Sequence, residues 1–577
     1  MAYVIKKIIN NKPYYYLKQS KRVGNRVVSK NIAYFGKKKP SKREIDEKLK
    51  GVVPKGKAIE KHVVPKSQKS KIFEELGISK KSLSEKSVVP KDKVILNIND
   101  VAVFCKKKGF VYANSEIYGG FGGFFDYGHL GVELKNNIKN EFWKTFVQQR
   151  EDIVGIDGSI ISSPKVWEAS GHTASFTDYI YSCDKCKTFA KGDDNKGIKC
   201  PKCGNQLENP SKFNLMFSTQ IGPLAGEKNI AYLRPETAQQ MFTNFKLVVE
   251  NTRLKLPFGI AQTGRAFRNE ISPRDFLFRS REFEQMEIEY FVHPDKVNDC
   301  LYISEVENLK INITTAEMQA NKKEHEMMTI KDLVNKKLAT QWHAYWLGKV
   351  HKWFLDLGIR EENLRLREHL KEELAHYAKA CFDIEYKFPF GWKEIHGSAD
   401  RQQFDLQQHI KFSKSDLSYY DEETKKKIVP YVAAEPSQGV DRAFLAFMLD
   451  AYCYDEKRGN VVLSLHPKLA PIKVAVFPLI SNKPEIVKKA KEVYNMLKKD
   501  FNSIIDLSGS IGRRYARADE IGVVAAITID FDTLKDKSVT LRDKETTKQI
   551  RIKIKDLKEV LNKFLNGEKL TKLGKLI

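Results

Sequence analysis

Apolar and basic residues alternate through residues 3–36, "YVIKKIINNKPYYYLKQSKRVGNRVVSKNIAYFG", around turns at "NNK" and "VGN". A period of two broken by turn residues predicts a short antiparallel meander with one lysine-rich face, a basic β module over residues 1–40. Lysine dominates residues 41–93, where Val-Val-Pro-Lys recurs at Val52, Val63 and Val88. Proline disfavours helix in the residue before it, so this stretch reads as an extended tether with one short helix near "KSKIFEELGIS". Amphipathic and β-rich segments fill residues 94–470, and "LREHLKEELAHYAKACF" makes the span 296–385 read as largely helical. Past Pro471 strands alternate with helices. "IKVAVFPLI" and "VVAAITIDF" are buried strands, "EIVKKAKEVYNMLKK" and "IKDLKEVLNKFL" are helices, and residues 471–577 are expected to form a small α/β domain. No run of eighteen apolar residues occurs, so no membrane-spanning helix is expected.

Charge sharpens this division. The formal net charge of +27 splits into +18 over residues 1–95 and +9 over residues 471–577, which leaves the body between them neutral. Two basic ends on a neutral body suit a catalytic unit with polyanion-binding arms, although basic ends also serve solubility. The opening "MAYVIKKIINNKPYYYLKQSKR" lacks the apolar core and cleavage site of a secretory signal. Four of the eight cysteines cluster in one segment, and Cys105, Cys300, Cys381 and Cys453 are scattered as packing residues would be. Reduced thiols and a cytoplasmic protein are the expectation.

The clustered cysteines form Cys183-x-x-Cys186 and Cys200-x-x-Cys203, a spacing that can place four thiolates tetrahedrally around Zn2+. Such a site is coordinatively closed, so it reads as a structural clamp over residues 181–212. The second chemical signal is "GRAFRNEISPRDFLFRSREFEQMEIEYF", Gly264 to Phe291. A strand ending in Arg268, a charged loop, and a returning strand with Arg279 and Phe283 supply the parts of a nucleotide platform. Arg268 can clamp a phosphate bidentately, and Phe283 can stack on a base.

This platform resembles motif 2 of class II aminoacyl-tRNA synthetases. "YVAAEPSQGVDRAFLAFML" resembles motif 3, with Gly439 and Arg442 opening a buried helix. "GVELKNNIKNEFWKTFV" followed by "IISSPKVWEASGH" resembles motif 1, the dimer element, with Pro164 at the motif's proline. Together "IYGGFGGFFDYGHLGVELKNN", "LRPETAQQMF", "REFEQMEIEYF", "GWKEIHGSADR" and "SIGRRYARADEIG", in this order across residues 100–570, resemble the glycyl-tRNA synthetase family of the dimeric type.

The resemblance implies an α+β chain. Its parts would be a class II antiparallel sheet flanked by helices over residues 94–470, a C-terminal α/β anticodon-binding domain, and the small basic N-terminal β module. It implies a homodimeric glycine–tRNA ligase that makes glycyl-adenylate from glycine and ATP and passes the glycyl group to tRNA(Gly). By the same resemblance Arg268 and Arg442 are the catalytic arginines, on the α- and γ-phosphates. Asn269, Glu270, Phe278, Arg279, Ser280, Arg281, Glu282 and Phe283 line ATP with Glu394, Ile395, Gly439, Val440 and Asp441, and Mg2+ sits at the phosphates. Glu236, Glu287 and Glu435 surround the glycine ammonium, Ser437 fills the space a side chain would need, and Phe283, Glu284, Gln285, Met286 and Gly439 complete the pocket. Rejecting larger amino acids is then a steric matter, and no editing domain is expected. The zinc clamp lies inside the catalytic region, as a brace near the tRNA acceptor end.

Overall fold

In the computed structural model the backbone is described for strands 2–9, 12–23 and 26–36, and the chain in full for residues 97–192, 197–223 and 229–577. Strands β1 (Ala2–Ile9), β2 (Lys12–Val23) and β3 (Arg26–Gly36) form the antiparallel meander that the period of two predicts. Its register pairs Ile5 with Tyr16 and Leu17 with Ala33, with two irregularities along β2. The tether expected over 41–93 and the lysine-rich face of the meander lie outside the described residues.

The body, a separate unit from Pro90 on, is built on a nine-stranded sheet. Its strands are β4 (Ile153–Ile156), β5 (Phe258–Phe267), β6 (Glu282–Val292), β7 (Lys310–Thr314), β8 (Glu326–Thr329), β9 (Leu364–Glu368), β10 (Ala380–Phe388), β11 (Gly391–Asp400) and β12 (Tyr431–Gly439). They lie in the order β8-β7-β9-β10-β11-β12-β6-β5-β4. The sheet is antiparallel through its centre and parallel at the β7–β9 and β4–β5 pairs.

Side chains alternate across a strand, and β6 shows what this does. Met286, Ile288, Tyr290 and Val292 enter the main core, where the Tyr290 ring lies 4.9 Å from Trp342 and 5.2 Å from Trp346. Those tryptophans belong to helix α2 (Gln341–Asp356), which covers this face. Helix α1 (His129–Trp143) and helix α4 (Val440–Ala451), the latter following β12 directly, complete the cover. The alternate residues Gln285, Glu287 and Glu289 lie on the other face, which therefore carries acids on a rigid floor.

The span 296–385 corrects the helical expectation. Helix α2 and two short helices lie within it, but four of the nine strands begin there, and "LREHLKEELAHYAKACF" folds as the end of β9, a turn, and the start of β10. The spacing of Leu366, Leu370, Leu374 and Tyr377 mimics a helical stripe. Burial of Leu364 and Leu366 on β9 and of Phe382 and Ile384 on β10 in one core decides for strands, tertiary packing overriding local pattern.

The C-terminal segment folds as strands β13 (Val474–Pro478), β14 (Ser503–Ile505), β15 (Ala525–Ile529), β16 (Ser538–Asp543) and β17 (Gln549–Lys553), ordered β14-β13-β15-β16-β17. Helices α5 (Pro484–Leu497) and α6 (Ile511–Glu520) connect them. Among the described residues no helix is long and apolar enough to cross a membrane.

Candidate active site

Strand register lines up Gln262, Glu287, Ser437, Gly397 and Asp383 in one row across β5, β6, β12, β11 and β10. One step along, Glu289 lies level with Glu435, since Glu287 pairs with Ser437 and Tyr290 with Ala434. Gly397 leaves the middle of the row bare. A Cβ there would sit 3.8 Å from both Asp383 Oδ1 and Glu394 Oε1.

Four buried glutamates meet in this pocket, three with different partners and one, Glu289, with none. Glu236 faces His172 Nε2 at 3.2 Å and accepts from Gln239 Nε2 at 3.0 Å. Burial opposes its ionisation, but His172 and Arg401 outweigh it and hold the carboxyl well below the usual range. Arg401 is fully buried, donating to Asp405 at 2.8 and 2.7 Å and to Glu435 at 2.6 Å, with its guanidinium 3.8 Å from the Tyr377 ring centre. Burial pushes Glu435 up to about 8, Arg401 working against it and Glu287 and Glu236 with it. Glu289 is fully buried with neither carboxylate oxygen hydrogen-bonded, and burial with the neighbouring Glu435 drives its pKa well above the ordinary value.

Glu287 has neutral donors only: Thr237 N–H at 3.1 Å, Ser437 Oγ at 2.6 Å, Gln285 Nε2 at 3.1 Å and the Thr237 hydroxyl. Its own pKa is raised, by burial first and then by Glu236. With His172 at Glu236 and Arg401 on Asp405 and Glu435, neither Glu287 nor Glu289 is paired with a cation, and Glu287 is the one of the two whose oxygens are held by donors. An incoming ammonium fits there, because a buried charge costs least when paired.

Beside the pocket lies a cationic shelf. Arg268 donates from Nε to Pro235 O at 3.0 Å, and its guanidinium lies 5.2 Å from the Phe283 ring centre. Arg442 lies 4.6 Å over the Phe278 ring and pairs with Glu394 at 2.8 Å. Phe278 packs edge-on to Phe388 and Phe390, Arg279 lies 3.9 Å from Glu270, and the Asn269 N–H is tied to Leu215 O at 2.7 Å.

The rest of the expected set divides, with Glu282, Glu284 and Met286 turned away from the pocket by strand alternation and the others placed by the loop and helix that carry them. Glu282 pairs with Arg265, Met286 and Ile395 enter the core, and Val440 and Ser280 are buried. Glu284 pairs with Lys135 at 3.0 Å and Lys139 at 2.7 Å. Asp441 accepts from Glu284 N–H at 2.8 Å and faces Lys135 at 3.5 Å, so both acids fasten α1 beneath β6. Arg281 donates to Glu270 O at 3.0 Å, Gly439 opens α4, and Phe283 and Gln285 lie on the pocket face.

Sequence reasoning missed His172, Thr237, Glu289, Asp383, Arg401 and Asp405. A local signal existed for only one pair, the Arg–Asp spacing of four in "RQQFD", on which helix α3 (Phe404–Ser413) begins.

The cysteine segment is a small subunit of structure with its own core of Tyr181, Cys183, Ala190, Cys200 and Leu207. Its two halves match. Lys187 N–H donates to Cys183 O, and Gly204 N–H to Cys200 O, each reversing the chain after a Cys-x-x-Cys at a left-handed residue. Cys183 and Cys203 Sγ lie 3.5 Å apart, as do those of Cys186 and Cys200. Four thiolates 2.3 Å from a tetrahedral zinc stand about 3.8 Å apart, so the donor set and its spacing fit that ion.

Comparison with known proteins identifies the family. The family model for the tRNA synthetase class II core domain (G, H, P, S and T) matches residues 225–452, and that for the anticodon binding domain matches residues 473–564. A glycine–tRNA ligase of Ruminiclostridium cellulolyticum is 44% identical over 497 residues, 80% of this chain and 98% of the relative. That of Streptomyces coelicolor is 43% identical over 498 residues, 82% of this chain and 99% of the relative. Among solved structures, prolyl-tRNA synthetase from Cryptosporidium parvum complexed with halofuginone and AMPPNP shares the fold, with a TM-score of 0.51, 16% identity, and coverage of 81% of this chain and 77% of that one. With both models in order and relatives matched along nearly their whole length, the chain belongs to the glycine–tRNA ligase family of class II aminoacyl-tRNA synthetases.

Proposed function

We propose that this chain activates glycine with ATP and transfers it to the 3′ end of tRNA(Gly). The observation that carries the choice of amino acid is Glu287, ringed by neutral donors and lacking a cation, with Ser437 closing the space beyond it. A glycine ammonium completes the charge balance of Glu236, Glu287 and Glu435, and the carboxylate then points along the bare floor over Gly397 toward the shelf.

ATP lies on that shelf. Arg268 swings from Pro235 to the α-phosphate, where it stabilises the charge that builds as the glycine carboxylate attacks and pyrophosphate leaves. Arg442 releases Glu394 for the γ-phosphate and keeps its stem against the adenine. Mg2+ neutralises phosphate charge when bound, and Asp383 and Glu394, both facing the space above Gly397, are the acids that would hold it. In the second step the terminal ribose hydroxyl of tRNA takes the glycyl group and AMP leaves. Positioning carries most of this chemistry.

Cys183, Cys186, Cys200 and Cys203 bind a structural Zn2+ that braces the segment beside the acceptor end. The working particle is a cytoplasmic homodimer joined through the segments resembling motif 1, the C-terminal α/β segment holds the anticodon arm, and the basic N-terminal module adds non-specific RNA affinity. ATP–pyrophosphate exchange with each of the twenty amino acids, without tRNA, tests the core reading. Exchange with glycine alone is expected. Exchange with another amino acid overturns the pocket assignment, and none overturns the activity.

A further inference from the structure

Three of the most exposed large apolar side chains of the body lie within five residues: Ile117 at 87%, Tyr118 at 87% and Phe121 at 78% of full exposure. They sit on the loop joining a two-stranded hairpin, Val111–Ala113 with Phe125–Tyr127. Isolated exposed apolar residues need no explanation, but a cluster on one loop marks a surface that something covers.

The loop is held in place. Asn114 Nδ2 donates to Asp126 Oδ1 at 3.0 Å across its base, and Glu116 pairs with Lys106. Its far side is fastened to the returning arm of the motif 2-like loop. Arg281 donates its N–H to Gly123 O at 2.8 Å and its Nη1 to Gly122 O at 2.9 Å. Gly123 has φ +81°, and a Cβ there would lie 2.7 Å from the Pro273 side chain, so the close approach of the two loops requires glycine. Arg281 is two residues from Phe283, at the mouth of the nucleotide shelf. The exposed Arg274 stands on the neighbouring loop, its side chain 69% exposed.

We infer that Ile117, Tyr118 and Phe121 form a stacking platform for the unpaired 3′ end of the tRNA acceptor, on the wall where that strand enters the cleft. The inference rests on the proposed function, which requires a single RNA strand to reach the shelf. Exposed rings suit such a strand because every base offers a π-face, and the exposed Arg274, next in sequence to the Pro273 that packs on Gly123, offers charge to its backbone. Continuity with the nucleotide shelf through Arg281 favours RNA over a second copy of the chain as the occupant.

The test is the triple variant Ile117→Ser/Tyr118→Ser/Phe121→Ser in the full-length protein. These side chains are solvent-exposed, so the fold is retained. The readouts are glycine-dependent ATP–pyrophosphate exchange, aminoacylation kinetics with tRNA(Gly), and mass by light scattering. Exchange and mass are expected to stay unchanged while kcat/KM for tRNA falls at least about tenfold, the loss of one base–aromatic stack. Tyr118→Phe/Phe121→Trp, which keeps both rings, is expected to retain it. Unchanged tRNA kinetics overturns the platform, and so does loss of oligomer mass, which would make the loop a contact between copies. Absence of glycine-dependent exchange in the unaltered protein overturns the activity and this inference with it.

Discussion

At the residue scale, the pocket works through unequal partners for like groups. Glu435 is raised to about 8 by burial and by Glu287 and Glu236, in spite of Arg401, so it favours its proton at neutral pH until a second cation arrives. The glycine ammonium favours the carboxylate, so binding expels that proton, and affinity for glycine is expected to climb as pH rises toward 8, by up to about tenfold per unit. Calorimetry in buffers of different ionisation enthalpy reads the released proton, and Glu435→Gln should flatten the pH dependence. Gly397 gives a steric counterpart. A methyl group there meets Asp383 and Glu394 at ordinary contact distance, so Gly397→Ala folds with an unchanged melting temperature. It blocks the path from pocket to shelf, and adenylate formation falls by roughly a hundredfold, measured by pyrophosphate exchange. Glu236, Glu287 and Glu435 were legible in the sequence because they stand in long blocks of familiar pattern. His172 was not, since a lone histidine carries no period and gains its role only from a chain segment folded back across the sheet, and Arg401 was marked only by its spacing to Asp405.

At the element scale, sequence periodicity found the N-terminal meander and the alternating C-terminal segment, each formed by its own local pattern, and the resemblance to motif 3 found the buried helix after Gly439. Periodicity failed over 296–385, where β9 and β10 pair with each other and with β7 and β11 and share a core with α2 and α4. Local spacing there records the apolar residues but not which face buries them. The cysteine segment is an element with too little apolar mass to hold itself, its core being five residues. One zinc per chain is expected by elemental analysis. Cys183→Ser/Cys186→Ser is expected to open residues 181–212 to limited proteolysis while the rest of the body stays resistant. Resistance of that segment in the variant would refute the brace.

At the scale of the whole molecule, the basic N-terminal module and the body are separate units, and removal of residues 1–89 is expected to leave pyrophosphate exchange intact. The KM for tRNA is expected to rise and its salt dependence to flatten, because a basic arm binds a polyanion through counterion release. Equal salt slopes for the two proteins would count against an RNA-binding arm. The C-terminal segment behaves otherwise. Phe477, Ala518, Val523 and Ala526 pack into the same core as α1 and α4. Arg458 reaches Asp519 at 3.1 Å, and buried Lys544 donates to Leu463 O at 2.9 Å. These links cross the junction at 471 with charge and carbonyl as well as apolar contact, leaving no soft hinge. Amides of β15 and β6 are therefore expected to exchange with solvent in one cooperative class under mild denaturant, and two separate classes would show that the chain parts at 471.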